Sequence, residues 1–159
     1  MKFDHALAKR LSTPWKLRLW MLTKLPMGLL SGMYIKSLDE DRCEVVLKER
    51  WWLTNPFGSV FWAVMGMAAE LSTGALVYAH LQGSGVRFIL VGMEGQFFKK
   101  AKGKSYYFCQ TGSEVLRSVD QIVNPNDSNV VIMPVTAKDE DGQLLAEFSF
   151  RWQLRKPIH

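Results

Sequence analysis

The sequence has few of the residues that build disulfide frameworks and structural zinc sites. Its 159 residues include two cysteines, Cys43 and Cys109, which form neither a CxxC motif nor a cluster with histidine. A disulfide framework and a structural zinc site are therefore disfavoured, and a reducing cytoplasm is the expected location. The chain also lacks a glycine-rich phosphate loop, a serine nucleophile elbow and any residues at metal-ligand spacing. We therefore expect no metal and no cofactor.

Acidic residues are scarce in the N-terminal arm, defined here as residues 1–24. The arm holds six basic residues and one acidic residue, and six minus one accounts for the whole net charge of +5. After a Ser-Thr-Pro start, the following apolar residues recur at helical spacing: Leu17, Trp20, Met21 and Leu25. This spacing predicts an amphipathic helix. The helix either packs on its own domain or contacts an anionic partner, such as membrane headgroups or a phosphorylated ligand.

The rest of the chain, residues 25–159, is predicted to form one domain composed mainly of β-strands. Alternating apolar and polar residues indicate strands at residues 33–37, 42–50, 86–98, 104–110, 129–138 and 143–154. Trp51 and Trp52 are expected to continue the second of these strands. Residues 113–124 instead have the spacing of a helix.

The most apolar segment is residues 55–81, and within it residues 59–81 predict a helix with Ser59 as its N-cap. It is apolar almost all the way round, as in a helix buried on every side. Residues 60–79 would be long enough to cross a bilayer, but Glu70 lies near their centre, where a charge is costly. The alternating strands that follow need an apolar element to cover. We therefore predict a buried helix wrapped by a curved antiparallel sheet rather than a membrane span.

This order of elements resembles the hot-dog fold, an α+β fold, and the helix entrance resembles thioesterases of the phenylacetic-acid-degradation type. Those enzymes carry Asn-x-x-Gly-x-x-His-Gly-Gly, then an Asp or Glu nine residues after the His. Asn55, Gly58 and Glu70 stand at the matching positions, whereas Phe61-Trp62-Ala63 replace His-Gly-Gly. The chain also resembles a branch of the superfamily that has an NPFGS-like entrance and AAE on the helix. The resemblance covers roughly residues 25–155.

The resemblance implies catalytic roles for two residues. Glu70 would act as a general base or nucleophile, since burial raises the pKa of a carboxyl group. Asn55 would position water or the thioester carbonyl, and backbone amides near Phe61 and Trp62 would stabilise the oxyanion. The alternatives are a Glu70 neutralised by hydrogen bonds or by a partner's arginine, and an Asx turn at Asn55 before Pro56.

Substrate-binding residues are expected around the same entrance. The aromatic residues that would line an acyl tunnel, or otherwise belong to the core, are Trp51, Trp52, Phe57, Phe61 and Trp62. Gly58 would leave room for the acyl group. Ser72 and Thr73 would assist the carboxylate or bond to their own helix. Phe98 and Lys99 resemble the strand end that holds pantetheine and nucleotide phosphates, a solvated hairpin being the alternative.

The implied function is hydrolysis of an acyl-CoA or acyl-carrier thioester by a homodimer or tetramer with sites at its subunit interface. Hot-dog dehydratases use a histidine, and His5, His80 and His159 all lie away from the expected site. A dehydratase is therefore disfavoured. The missing His-Gly-Gly motivates an alternative, a non-catalytic protein that binds acyl-CoA or a lipid-like ligand. We expect no nucleic-acid partner, because no recognition motif accompanies the basic residues.

Overall fold

The computed structural model describes residues 3–124 and 127–156. Three parts of the chain lie outside the described residues: residues 1 and 2 of the predicted arm, residues 125 and 126, and residues 157–159 of the predicted domain, which include His159. The described chain begins with three short helices and continues as one antiparallel sheet around a long helix.

Six strands form the sheet in the order β1-β2-β4-β5-β6-β3. Their bounds are β1 Tyr34–Leu38, β2 Cys43–Lys48, β3 Arg87–Phe97, β4 Lys104–Cys109, β5 Ser128–Asp139 and β6 Leu144–Arg155. Every predicted strand is confirmed to within two residues at each end, because alternating burial is a local signal. The expected continuation of β2 is wrong: Trp51–Leu53 form a 3-10 turn.

The long helix α4, Trp62–Leu81, lies in the concave side of this sheet. It contacts β1, β2, β4, β5 and β6. Gly66 faces β3, where an added Cβ would lie 3.5 Å from the Met93 methyl group. Contacts with strands from one edge of the sheet to the other mean that the sheet wraps the helix. The predicted α+β architecture is therefore confirmed, and the apolar circumference of α4 is buried as expected.

The predicted N-cap at Ser59 is wrong. The helix begins at Trp62, and Phe61 occupies the N-cap position without a side-chain hydrogen bond. The two residues before the helix are held in extended conformation by neighbouring backbone: Val60 N–H donates to Ala101 O at 3.0 Å, and Phe61 N–H donates to Leu53 O at 2.7 Å. Because these bonds keep Val60 and Phe61 extended, the helix cannot begin before Trp62.

Three helices precede the sheet: α1 His5–Leu11, α2 Pro14–Lys24 and α3 Pro26–Ser31. Leu17 and Met21 of α2 are buried in the same core cluster as α4. The helix predicted at residues 113–124 is confirmed as α5, Gly112–Asp120, which ends four residues earlier than predicted. Within the described ranges, no helix has both the length and the apolar character needed to cross a bilayer.

Candidate active site

Glu70 borders a cavity of about 290 Å³ beside the middle of α4, here named the Glu70 cavity. Lys24 is the other charged residue in its wall. The remaining lining residues come from α1, α2, the α2–α3 junction, β1, α4, β3 and β6: Leu11, Trp20, Leu25, Ile35, Leu71, Gly74, Ala75, Tyr78, Phe88 and Trp152. An acid thus lies in a mostly apolar cavity of a size that holds small ligands.

The Glu70 carboxylate has no hydrogen bond and no ion pair with any of the residues that the structure describes. The Thr73 hydroxyl donates a hydrogen bond at 2.9 Å to the backbone carbonyl oxygen of Glu70 and not to its carboxylate. Burial raises the pKa of this carboxyl group above its ordinary value. A carboxylate with a raised pKa and free oxygens facing a cavity can accept a proton from a bound molecule near neutral pH.

Thr73 holds one wall of the Glu70 cavity in place. Its hydroxyl donates to Glu70 O and accepts the indole N–H of Trp152 at 3.0 Å, while the Trp152 ring lines the cavity. Thr73 is fully buried and is not part of the cavity wall itself. Ser72 Oγ donates to Ala69 O at 2.6 Å, so both hydroxyls bond to their own helix.

A second cavity of about 310 Å³ lies at the start of α4, here named the entrance cavity. Five predicted site residues line it together: Asn55, Phe57, Trp62, Phe98 and Lys99. The structure therefore brings the predicted entrance residues together but leaves Glu70 in the other cavity. Phe61 lies beside Trp62 with its ring 5.6 Å away and is partly exposed.

Asn55 forms the turn that precedes the helix. Its side-chain oxygen accepts backbone N–H groups from Phe57 at 3.0 Å and from Ser59 at 3.3 Å, which is an Asx turn. Gly58 has a φ of +72°, a conformation that favours glycine in such a turn. The Asn55 side-chain NH₂ group has no hydrogen-bond partner among the described residues, so it remains able to donate to a ligand.

The first turn of α4 presents two unpaired backbone donors. The Phe61 N–H donates to Leu53 O, so it is not available as the oxyanion donor suggested by the sequence. Within the described chain, the Trp62 and Ala63 N–H groups have neither a side-chain cap nor another acceptor. These two amides and the partial positive charge of the helix start suit an oxygen that becomes negative during a reaction.

The basic residues of the entrance cavity are held by other protein groups. Lys99 Nζ donates to Asp139 Oδ2 at 2.8 Å and to Gln143 Oε1 at 2.6 Å, and this ion pair lowers the pKa of the Asp139 carboxyl. Lys100 Nζ donates to Phe57 O at 2.7 Å. A nucleotide phosphate at this rim would share these lysines with their present acceptors.

Strand β3 connects the two cavities. Phe88, near its start, lines the Glu70 cavity, and Phe97, at its end, lines the entrance cavity. Along α4, the eight residue steps from Trp62 to Glu70 correspond to a rise of about 12 Å. Sequence reasoning missed Trp20, Lys24 and Phe88 as neighbours of Glu70, because no local pattern links them to α4.

Comparisons with other proteins show the family and the fold. Residues 14–154 match a family described as "Domain of unknown function (DUF4442)". A Pseudomonas aeruginosa protein described as a "Probable Thioesterase" has a TM-score of 0.75 at 20% identity, covering 92% of this chain and 98% of that one. A thioesterase from Haemophilus influenzae has a TM-score of 0.71 at 14% identity, covering 92% of this chain and 93% of that one. No curated protein matches the chain. At these identities the solved structures show the fold, and the predicted hot-dog fold is confirmed.

Proposed function

The chain belongs to the DUF4442 family, and for this hot-dog member we propose thioester hydrolysis, with Glu70 as the catalytic carboxylate. One observation carries the proposal: an unpaired acid with a raised pKa faces an apolar cavity that is large enough for an acyl chain. The thioesterases among the solved structures of the same fold support the reaction class. We propose a reducing cytoplasm as the location; Cys43 and Cys109 are both free and buried.

The proposed site is completed by a second copy of the chain. Strand β3 is an edge strand of the sheet and exposes Ile89, Val91, Met93 and Phe97. An exposed apolar edge of this length is a template for pairing with another strand. We therefore propose a homodimer formed through β3, in agreement with the interface expected from the sequence.

Antiparallel pairing of two β3 strands would join the two half-sites. Phe88 and Phe97 are equidistant from the midpoint between Gly92 and Met93. If the two-fold axis passes near that midpoint, the Phe97 end of one strand lies beside the Phe88 end of the other. The entrance cavity of one protomer then adjoins the Glu70 cavity of its partner, which places an acid and unpaired amides on opposite sides of one substrate.

The proposed reaction consumes one water molecule per thioester. Glu70 removes a proton from water as the water oxygen attacks the thioester carbon, and the Trp62 and Ala63 amides hold the carbonyl oxygen as it becomes negative. The C–S bond then breaks, and the proton held by Glu70 passes to the leaving sulfur, giving a carboxylic acid and a thiol. In the nucleophilic variant, the Glu70 carboxylate attacks first, the C–S bond breaks and the thiolate leaves and takes a proton from water. Water then hydrolyses the resulting anhydride, which releases the carboxylic acid and restores the Glu70 carboxylate.

A panel of acyl-CoA substrates of increasing chain length tests this proposal. We expect hydrolysis of at least part of the panel, and a loss of about 100-fold or more in kcat for Glu70→Gln. The exposed Glu147→Gln serves as the matched control and should retain activity. A folded, dimeric wild-type protein that hydrolyses none of the panel would overturn the assignment.

A second candidate function is binding of acyl-CoA or a lipid-like ligand without turnover. Bulky side chains at the entrance favour it, because Phe61 and Trp62 stand where related enzymes have histidine and glycine. A rise in the thermal unfolding midpoint with long-chain acyl-CoA, with no thiol released, would identify this function. Thiol release that depends on Glu70 would exclude it.

A further inference from the structure

Helix α2 carries apolar side chains on two opposite sides. Leu17 and Met21 face the core and are almost completely buried. Trp15, Leu19 and Leu22 point outward and are 65%, 60% and 59% exposed. Because each helical residue turns by about 100°, these three side chains lie within an arc of about 60°. The outer side of α2 is therefore an apolar stripe facing water.

Helix α3 and the 3-10 turn extend this exposed region. Met27 and Leu30 of α3 are 61% and 65% exposed, while Gly28 packs inward near Met21. The indole N–H of Trp52 donates to Leu30 O at 3.4 Å, which holds the half-exposed Trp52 ring beside α3. The α2–α3 surface is defined as the exposed side chains of Trp15, Leu19, Leu22, Met27, Leu30 and Trp52.

The charged side chains on helices α2 and α3 are all positive. No acidic residue occurs between residues 5 and 38. Around the axis of α2, Lys16 lies on one side of the apolar stripe and Arg18 lies on the other. The Arg50 guanidinium lies 5.2 Å from the Trp52 ring centroid. Tryptophan and leucine flanked by lysine and arginine are the composition of helices that lie in the headgroup region of a bilayer.

We propose that the α2–α3 surface docks on an anionic lipid surface. The apolar stripe would enter the headgroup boundary, and the flanking basic residues would attract anionic lipids. A second copy of the chain fits this surface poorly, because a two-fold contact would bring the same positive charges together. Nucleic acid offers the negative charge but no apolar phase for exposed Leu19, Leu22 and Leu30.

Docking would also place the Glu70 cavity close to the lipid. Trp20 and Lys24, on a third side of α2, form part of that cavity wall. A lipid-bound protein would thus hold its proposed acyl cavity one helix away from a source of long apolar chains. This consequence rests on the proposed thioesterase function, whereas the docking itself does not.

Flotation of the full chain with vesicles tests the docking. One set of vesicles contains phosphatidylcholine alone, and the other contains phosphatidylcholine and phosphatidylglycerol in equal amounts. We expect binding to the anionic vesicles, weakened by high salt, and little binding to the neutral ones. The double variant Leu19→Ser, Leu22→Ser should lower the ratio of vesicle-bound to free protein about tenfold or more. Lys16→Glu together with Arg18→Glu should do the same.

The matched control is Ile132→Ser on β5, because Ile132 is 59% exposed, as Leu22 is. It should bind vesicles as the wild type does. Each variant should keep the thermal unfolding midpoint and the hydrolysis of a soluble short-chain acyl-CoA, so that a failed thioesterase assay is distinguished from failed docking. The proposal would be overturned if the wild type did not bind anionic vesicles, or if it bound neutral vesicles equally well. It would also be overturned if the Leu19/Leu22 or Lys16/Arg18 variant changed the oligomeric mass but not the binding to vesicles.

Discussion

The two cavities along α4 differ in the chemical groups that they would present to a substrate. The Glu70 cavity is mostly apolar and holds an acid without a partner, whereas the entrance cavity lies at the start of α4, near two unpaired backbone N–H groups, and is lined by lysines that are already paired. Neither cavity alone has an acid and an oxyanion site. In the proposed dimer, each protomer would therefore contribute one half to each of two shared sites.

The largest expected effect is the loss of kcat when either half of the proposed site, the acid or the backbone amides, is removed by a separate variant. Glu70→Gln removes the acid, and Ala63→Pro removes one entrance amide at a helix position where proline is tolerated. Each should lower kcat about 100-fold or more. Ala63→Ser, which keeps the amide, is the control for the second variant and should remain active.

Mixing the two inactive variants distinguishes a shared site from a site within one protomer. If each site takes Glu70 from one protomer and Ala63 from the other, half of the randomly formed dimers carry one intact site. The mixture should then recover about a quarter of wild-type activity after subunit exchange. Hydrolysis that stays at the level of the separate variants would contradict the two-protomer arrangement, provided that mass measurements show mixed dimers.

A smaller effect is expected from loosening the wall of the Glu70 cavity. Thr73→Val keeps the side-chain shape but leaves the buried Trp152 N–H without its acceptor. We expect a loss of about 1–3 kcal/mol in the free energy of unfolding, measured by denaturant titration. Thr73→Ser keeps the hydroxyl and should lose less. Equal losses for the two variants would show that the hydrogen bond does not hold this wall.

The pH dependence of stability separates the Glu70 cavity from the protein surface. Because the pKa of Glu70 is higher in the folded than in the unfolded chain, the folded state binds more protons between those two pKa values. Stability should therefore fall as pH rises through that window, above the ordinary glutamate pKa. The difference in unfolding free energy between Glu70→Gln and wild type should grow over the same range. Parallel curves for the two proteins would argue against a buried, unpaired Glu70, and Glu147→Gln serves as the surface comparison.

The smallest effect is expected at the rim of the entrance cavity. Lys99→Ala removes an exposed ion pair with Asp139, so the unfolding midpoint should change little. If Lys99 also contacts nucleotide phosphates, KM for an acyl-CoA should rise a few-fold, while KM for the same acyl group on pantetheine should not. Lys102→Ala is the control. Equal changes with both substrates would remove Lys99 from phosphate binding.

Much of the fold was predictable because its signals are local. Alternating residues located all six strands, and the apolar segment around Glu70 located the central helix. Ser59 was misassigned because a favourable cap residue cannot show that Val60 and Phe61 are held extended by Ala101 and Leu53. At Asn55, the Asx-turn alternative describes the bonds that form, and its role toward a substrate stays a prediction.

The sequence by itself determined that one acid would lie in the middle of a buried helix, because side-chain hydrophobicity along the chain decides which segments leave water. The tertiary structure decided what that acid faces. Trp20 and Lys24 reach the Glu70 cavity from the N-terminal helices, and Phe88 and Trp152 reach it from distant strands. Lys99, which follows β3, is paired with Asp139 at the end of β5. Such neighbours depend on how separate elements pack, and no pattern within one segment encodes them.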